Sequence, residues 1–288
     1  MRANKMTKYT ALAIATNYWR PNSNYNDKII KAIENKVENG DFVVVSEKAI
    51  STALDHMVDE SIVKPGFTAK VLARIWMRLV WGYPLGILVG FGPRLLRRLR
   101  NYPLESGSRH KQVALQYAGF WQAFMFGSEG GIDGSNLPYS YVSLPLNDVV
   151  EIAQKIQNHI LQKLKKNVCV IIADTDKTYK FHSFFFTPRP NPLRGIHSLG
   201  ASTTFILGRI LKFKKSSTPL TAAGCDLLAS EALKITNIAD KTRGPGSGAT
   251  VWDMAARFHV EVNDVTWEML EAIRHKPIVI VRKTVKQT

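Results

Sequence analysis

Residues 168–181 read VCVIIADTDKTYKF, which is five apolar residues, an alanine, and two aspartates separated by a threonine. An unbroken apolar run of this length is typical of a strand buried on both faces of a sheet. Ligands of α/β sheets collect just beyond the carboxyl ends of such strands, where Asp174 and Asp176 would lie. Carboxylates with a hydroxyl between them suit a hard cation, although an aspartate-rich turn has the same residue pattern.

The segments before this strand alternate between strand-like and helix-like patterns. Residues 10–16, TALAIAT, predict a strand, and residues 27–41 predict a helix that stops at Asn39-Gly40. Residues 41–51 predict a buried strand that runs into polar residues, and residues 146–167 predict an amphipathic helix. This succession of strand, helix and strand is typical of α/β sheet proteins.

Three predicted elements follow towards the carboxyl terminus. Residues 217–236 predict a helix, and residues 276–283, KPIVIVRK, predict a last strand. Residues 243–258, RGPGSGATVWDMAARF, predict a glycine loop that leads into a helix. This loop resembles a phosphate cradle, with Thr250 and Asp253 as a capping box, but a flexible connection before a helix has the same glycines.

The composition is that of a globular protein with an excess of basic residues. Of the 288 residues, 45% are apolar and 22% are charged, which excludes wholesale disorder. The net charge of +16 indicates an anionic partner, such as a nucleotide, a phosphorylated metabolite, a nucleic acid or an acidic lipid, unless the surface is merely basic. Cys169 and Cys225 lie in apolar runs, so we expect two reduced core thiols in a cytoplasmic protein. The apolar stretch 11–15 is too short for a signal peptide.

Residues 71–100 form an apolar segment with arginines at both ends. Residues 79–92 carry no charge but contain four glycines and Pro84. A spanning helix needs about 20 apolar residues, so we do not expect a transmembrane segment. An interfacial hairpin with arginines at lipid headgroups fits this pattern. Packing on a partner subunit or on the protein's own core fits it better, because soluble monomers rarely expose so large an apolar patch.

A second acidic motif is EGGIDGSNLP, residues 129–138. Its glycines allow backbone N–H groups to converge on an anion, or a ligand to come close to Asp133. Asp133 would then offer a second carboxylate to a metal at Asp174. A surface turn is the alternative interpretation.

Several common catalytic motifs do not occur in the sequence. There is no P-loop, no Cys-x-x-Cys, no His-Glu-x-x-His and no Gly-x-Ser-x-Gly. The seven histidines are scattered, and none pairs with another at metal-ligand spacing. The sequence therefore gives no support to P-loop NTPase, zinc or serine-nucleophile chemistry.

Three segments, taken in order, resemble the signatures of one enzyme family. GDFVVVSEKAIS at 40–51, EGGIDGSNLP at 129–138 and VCVIIADT at 168–175 are similar to successive motifs of the coenzyme F-420 gamma-glutamyl ligases. The resemblance covers roughly residues 10–235. It implies an α+β or mixed α/β fold in which a mixed sheet is flanked by helices.

This resemblance also implies a domain organisation. The whole chain, 1–288, would form a single ligase-like unit, within which discontinuous subdomains are an option. Residues 66–105 would be a divergent apolar and basic insertion, and residues 237–288 a divergent carboxyl-terminal segment.

The activity that the resemblance implies is a GTP-dependent amide ligation that needs Mg²⁺ or Mn²⁺. Enzymes of this family add gamma-linked glutamate to a phosphorylated deazaflavin through an acyl phosphate, commonly as cytoplasmic homodimers. The metal ligands would be Asp133, Asp174 and Thr175, and the catalytic residues would be Lys48, Asp133 and Asp174. The nucleotide- and substrate-binding residues would be Ser46, Lys48, Ser51, Ser135, Asn136 and Lys177.

The sequence departs from the family pattern in two places. Glu47 lies between Ser46 and Lys48 where the usual pattern has no residue. After Asp-Thr the family continues with Phe-Gly-Arg, whereas this chain continues with DKTYKF. Lysines at 177 and 180 do not reproduce the bidentate grip of an arginine, so we expect a different anionic acceptor.

Two other functions remain open from the sequence. One is a protein of the same fold that has lost catalysis and binds nucleotide or RNA, with the arginines of 94–100 beside Trp76, Trp81 and Tyr83 as the RNA surface. The other is attachment to a membrane surface through residues 79–92.

Overall fold

The computed structural model describes residues 7–127 and 129–285. The strands are β1 (Thr7–Thr16), β2 (Phe42–Ser46), β3 (Met57–Asp59), β4 (Tyr141–Ser143), β5 (Cys169–Phe181), β6 (Phe184–Thr187), β7 (His197–Ser198), β8 (Lys214–Ala223) and β9 (His275–Val285). The helices are α1 (Tyr25–Ile33), α2 (Glu47–Ala53), α3 (Phe67–Val71), α4 (Gly86–Leu88), α5 (Pro93–Arg100), α6 (Leu104–Tyr117), α7 (Phe120–Ala123), α8 (Val149–Leu164), α9 (Ala201–Ile210), α10 (Ala229–Arg243), α11 (Val251–Phe258) and α12 (Trp267–Glu271). A π-helical segment, Leu72–Leu85, joins α3 to α4, and 3-10 turns lie at Glu60–Ile62 and Val262–Asp264.

The strands form one mixed sheet of seven strands and a separate pair. The order in the large sheet is β1-β9-β2-β5-β6-β7, and β8 pairs with β5 as well. β2 runs parallel to β5, whereas β9 is antiparallel to both β1 and β2. β3 and β4 form the two-stranded sheet.

Helices cover both faces of the central strands, because neighbouring side chains on a strand point to opposite faces. Val43, Val45 and Ile172 lie in a core that α1 and α8 close. Val44 and Ile171 face the other side, where α10 covers them. The prediction of a mixed α/β fold with a mixed sheet between helices is therefore confirmed.

The carboxyl-terminal segment is built into the centre of this sheet. β9 lies between β1 and β2, and Val279 pairs with Ala13 on one side and with Val44 on the other. The predicted strands at 10–16 and 276–283 are thus confirmed, and they are neighbours. Residues 41–51 instead divide between β2 and the first turns of α2.

The predicted helix over residues 217–236 is wrong for its first half. Residues up to Ala223 belong to β8, and the helix α10 begins at Ala229. β8 pairs antiparallel with β5 along most of its length, so long-range pairing overrides the local pattern there. Thr218 and Thr221 are β-branched residues buried in this strand.

The prediction of two reduced cysteines is wrong as well. Because Val170 of β5 pairs with Ala223 of β8, the adjacent Cys169 and the nearby Cys225 come together. Their Cα atoms are 5.3 Å apart and the two residues form a disulfide. The cysteines therefore give no support to the predicted cytoplasmic location.

The apolar segment near residue 80 is one continuous helix and not an interrupted hairpin. Among the described residues, Phe67–Leu88 is a helix that is long and apolar enough to cross a membrane, judged by length and composition alone. Only 33% of its most apolar window is buried in the protein. Gly82 and Pro84 lie inside this helix and do not interrupt it.

Two of the aromatic residues proposed to stack on RNA bases lie inside the protein. The Trp81 side chain is fully buried, and Trp76 is half-buried. Both indole N–H groups donate to the Phe124 carbonyl, at 2.7 Å from Trp76 and 2.8 Å from Trp81. These side chains are not available to stack on nucleic-acid bases.

A buried group of charges fixes α6 to the start of the 129–138 turn. Both nitrogens of His110 lie beside carboxylates, 2.6 Å from Glu60 and 3.0 Å from Glu129. The Lys111 ammonium donates to the other oxygen of Glu129, and both of these side chains are fully buried. Burial opposes the charge on His110, but the two carboxylates raise its pKa well above its usual value. The Glu129 carboxylate is thus held from two sides.

Removal of one member of this group will destabilise the fold strongly. We expect Lys111→Met to lower the free energy of unfolding by about 3 kcal/mol or more, because a buried carboxylate then loses its partner. Urea unfolding measures this change. Arg109→Met is the matched control, since it breaks only exposed contacts, with Glu105 and with the Ser61 carbonyl, and should cost at most about 1 kcal/mol. Equal losses in the two variants would contradict the structural role given to Lys111.

Candidate functional site

An open cavity of about 1140 Å³ lies at one edge of the large sheet. The parallel strands β2 and β5 pair up to Ser46 and Ala173, so their carboxyl ends meet at this edge. Eight of the nine predicted site residues line this cavity: Ser46, Lys48, Asp133, Ser135, Asn136, Asp174, Thr175 and Lys177. The predicted sheet edge and the two acidic motifs therefore converge on one cavity.

Ser51 is the exception among the predicted residues. Its side chain is fully buried, and its hydroxyl lies 2.8 Å from the carbonyls of both His56 and Leu144. Its position on α2, five residues beyond the end of β2, directs it into the core. Ser51 is a structural residue and does not face the cavity.

Lys48, Asp133 and Ser135 form one hydrogen-bonded group on the cavity wall. The Lys48 ammonium is paired with the Asp133 carboxylate, and it lies 2.8 Å from the Ser135 hydroxyl and 2.9 Å from the Ser135 carbonyl. The backbone of Ser135 donates to Asp133 at 2.7 Å. Backbone hydrogen bonds between Asp133 and Ser143 of β4 fix the turn that carries the acid. The group therefore places a lysine ammonium and a carboxylate side by side at the cavity.

A buried arginine that the sequence analysis did not identify joins the three motifs. Arg189 lies 2.7 Å from Glu47, donates to the Gly130 carbonyl, and lies 3.4 Å from Asp174. Glu47, which the family pattern lacks, is itself buried and also accepts the backbone N–H of Leu146 at 2.9 Å. Arg189 lies two residues beyond β6, in a Pro-Arg-Pro sequence that carries no periodic signal. No local pattern could have identified it.

Asn136 holds the glycine loop that precedes α11. Its carboxamide oxygen accepts the backbone N–H of Ser247 at 2.6 Å, and its amide donates to the Gly248 carbonyl at 3.1 Å. The predicted capping box is confirmed, since the Thr250 side chain accepts from the backbone of Asp253. The loop therefore forms part of the cavity wall, where Asn136 positions it.

The predicted Lys177 also faces the cavity, and it has a carboxylate partner. Its ammonium lies 3.0 Å from Asp240 of α10 and 3.3 Å from the Ser217 hydroxyl. Arg243 shares the same carboxylate at 3.1 Å. These cations form a fixed positive rim that a phosphate group could contact.

The residues predicted to hold a metal fit a divalent cation in part. Asp174 lies at the cavity, and its Oδ2 atom is buried without a hydrogen bond, because the contact with Arg189 lacks hydrogen-bond geometry. Such an oxygen suits Mg²⁺ or Mn²⁺. Asp133, in contrast, already carries the Lys48 ammonium. Among residues 7–127 and 129–285 there is no cluster of three or more His, Cys, Asp and Glu side chains that could hold a metal.

Glu47 has an unusual protonation equilibrium for a carboxyl group. Burial raises its pKa to about 7, in spite of the neighbouring Arg189 guanidinium, and the Asp174 charge raises it further. The group therefore gains and loses its proton near neutral pH.

Comparison with known proteins identifies the family of this architecture. The family model described as F420-0:gamma-glutamyl ligase matches residues 13–187. An uncharacterized protein of Methanocaldococcus jannaschii is 35% identical over an alignment of 290 residues that covers 94% of this chain and 96% of that protein. The model match ends at β6, so it includes both acidic motifs but not Arg189.

Gly131 cannot be replaced without moving the arginine. Its φ is +107°, and a Cβ atom there would overlap the Arg189 guanidinium. We expect Gly131→Ala to destabilise the protein by about 3 kcal/mol or more, from backbone strain and overpacking together. Gly119→Ala is the control, because Gly119 has a φ of +97° but nothing within 4 Å of the added Cβ. It should cost only about 1 to 2 kcal/mol in urea unfolding. Similar losses for both variants would show that the Arg189 contact is not needed.

The Glu47 carboxyl should make stability depend on pH in a defined direction. Its pKa is raised to about 7 in the folded protein, so the folded state binds more protons between its unfolded pKa and pH 7. This contribution is complete at low pH and is lost as the pH rises through about 7. We expect the free energy of unfolding of the wild type, minus that of Glu47→Gln, to fall between about pH 5 and pH 7. A difference that rises over this range would contradict the assignment.

Proposed function

This chain belongs to the F420-0:gamma-glutamyl ligase family, and we propose that it forms an amide bond between an amino acid and an anionic acceptor at the expense of GTP. The observation that carries the proposal is the convergence of Lys48, Asp133 and Asp174, from three separate segments, on one cavity at the carboxyl ends of β2 and β5. Ligands of α/β sheets bind at such an edge.

The proposed reaction has two steps that balance in atoms and charge. A carboxylate oxygen of the acceptor attacks the terminal phosphorus of GTP, and GDP leaves, so that an acyl phosphate forms. The amine nitrogen of the amino acid then attacks the acyl carbon, loses a proton, and displaces inorganic phosphate. Both steps bring anionic groups together, so charge compensation and positioning are the main demands on the protein.

The chain's own residues meet these demands from two sides of the cavity. Lys48 is fixed by Asp133 and Ser135, and it offers a positive charge at a constant position. Lys177 and Arg243 share Asp240 and offer two more. Fixed cations of this kind stabilise the charge that develops on a transferring phosphoryl group.

A divalent cation would act beside these residues. Asp174, with the Thr175 hydroxyl, would hold Mg²⁺ or Mn²⁺, and Asp133, with the Lys48 ammonium beside it, would join them. When bound, such a cation offsets phosphate charge. The exposed Thr175 side chain lies next to the Asp174 carboxylate.

The remaining features of the proposal come from the family. The amino acid would be glutamate, joined through its amine to the acceptor carboxyl group, and the acceptor would be an anionic small molecule that differs from the usual deazaflavin. The enzyme would act as a homodimer in the cytoplasm. The DKTYKF sequence after Thr175 supports a changed acceptor, because it stands where the family has Phe-Gly-Arg. Its Lys177 is held by Asp240 of α10 and does not take the place of that arginine.

The proposal is tested by calorimetric titration of GTP with Mg²⁺ into the wild type and Asp174→Asn. We expect the variant to bind at least about tenfold more weakly, since the loss of one charge-assisted contact costs more than 1.4 kcal/mol. Asp226→Asn, an exposed aspartate outside the cavity, should bind as the wild type does. Equal affinity in all three proteins would rule out Asp174 as a ligand of the metal-nucleotide. If GTP with Mg²⁺ binds tightly but no phosphate is released with any mixture of amino acid and acceptor, the result would instead favour a protein that has lost catalysis.

A further inference from the structure

The helix Phe67–Leu88 presents a row of apolar side chains to solvent. Ile75, Leu79, Tyr83 and Ile87 are spaced four residues apart, and each is between 47% and 60% exposed. Leu88, next to the last of them, is also 60% exposed. We call these five residues the apolar row. A helix whose apolar side chains face water in this way has an unoccupied binding surface.

The stretch of chain that carries this row contains basic residues and no acidic ones. Residues 61–104 contain eight lysines and arginines and no aspartate or glutamate. This stretch therefore supplies eight of the sixteen net positive charges of the chain. None of the eight forms an ion pair with a carboxylate of the described residues.

The charges lie beside the apolar row and not only near it in sequence. Lys70 and Arg74 are exposed on the same helix, one turn apart. The helix α5, with the sequence PRLLRRLR, packs next to it. Arg100 of α5 donates to the Gly82 carbonyl at 2.8 Å, and its guanidinium lies 4.4 Å from the centre of the Tyr83 ring. Apolar and basic side chains thus share one surface.

The opposite face of the helix is fixed in the protein. Met77 and Trp81 are fully buried, and they pack with Leu99 of α5 and with Phe91 in one cluster. Because these contacts hold the helix along its length, it cannot cross a bilayer without unfolding the cluster. Its outer face is free to lie flat on a surface.

We propose that this helix and α5 dock the protein on the surface of an anionic lipid bilayer. The apolar row would enter the boundary between headgroups and acyl chains, and the surrounding cations would contact the headgroup phosphates. Two other occupants fit less well. A second copy would bring eight positive charges against eight, and RNA would gain little from isoleucine and leucine side chains. This inference does not depend on the proposed ligase reaction.

The test is sedimentation of the full-length protein with vesicles of phosphatidylcholine alone or mixed with phosphatidylglycerol. We expect binding only to the mixed vesicles, and weaker binding as the salt concentration rises. Lys70→Gln with Arg74→Gln should lower the partition coefficient by roughly 30-fold, about fivefold for each charge. Leu79→Ser with Ile87→Ser should lower it by about tenfold or more.

Matched controls use exposed residues on other helices. Lys31→Gln with Lys163→Gln removes two charges from α1 and α8, and Val150→Ser with Leu161→Ser removes two exposed apolar side chains from α8. Both controls should partition as the wild type does. Circular dichroism and a thermal melt confirm folding, and GTP titration reports on the cavity separately.

Three results would overturn the proposal. The first is wild-type protein that stays in the supernatant with anionic vesicles at low salt. The second is a control pair that loses as much binding as the pair on the helix. The third is a protein that does not bind vesicles but uses the same face for another partner. That partner would be a second copy, if Leu79→Ser with Ile87→Ser dissociates a concentration-dependent dimer, or RNA, if the same change abolishes RNA binding.

Discussion

The candidate site depends on the buried guanidinium of Arg189. A charge that is fully removed from water must be compensated by partners at fixed positions. Here the partners are the Glu47 carboxylate at the start of α2, the Gly130 carbonyl in the acidic turn and the Asp174 carboxylate on β5. Three segments that are far apart in the chain therefore share one centre. The arrangement of Lys48, Asp133 and Asp174 round the cavity follows from it, because each lies within a few residues of an Arg189 partner.

The same interaction accounts for details that look irregular in the sequence. Glu47 departs from the family pattern, but it provides the negative charge that a buried arginine requires. Gly131 has a left-handed backbone and leaves the space that the guanidinium occupies. The family model match ends before Arg189, so the motifs that identify the family are held together by a residue that lies outside the match.

Sequence patterns predicted the parts of the fold that depend on local order. The apolar runs of β2, β5 and β9 and the amphipathic faces of α1 and α8 could be read from spacing alone, and the parallel pairing of β2 with β5 places Asp174 at a ligand-binding edge. The failures have a common cause. Each wrong or missed assignment depends on which distant residues become neighbours. These assignments are the strand at 217–223, the disulfide of Cys169 with Cys225, the role of Ser51 and the partners of Arg189. A single sequence does not contain that information, and the family resemblance supplied it only for the eight predicted residues that line the cavity.

The net charge of +16 includes cations at two places with different roles, one group in the cavity and the other on residues 61–104. In the cavity, Lys48 is paired with Asp133, and Lys177 and Arg243 are paired with Asp240. These three cations share two carboxylates, so their charge is compensated in part, and they act at short range by position. Half of the net charge lies on residues 61–104, outside any ion pair with a carboxylate of the described residues, and it is screened by salt. Of the anionic partners that the excess of positive charge indicates, an acidic lipid surface accounts for this half better than a small molecule does. The two regions meet at α5, since Leu95 and Arg98 line the cavity while Arg100 packs on Tyr83. A protein docked through this surface would hold its cavity close to the lipid headgroups.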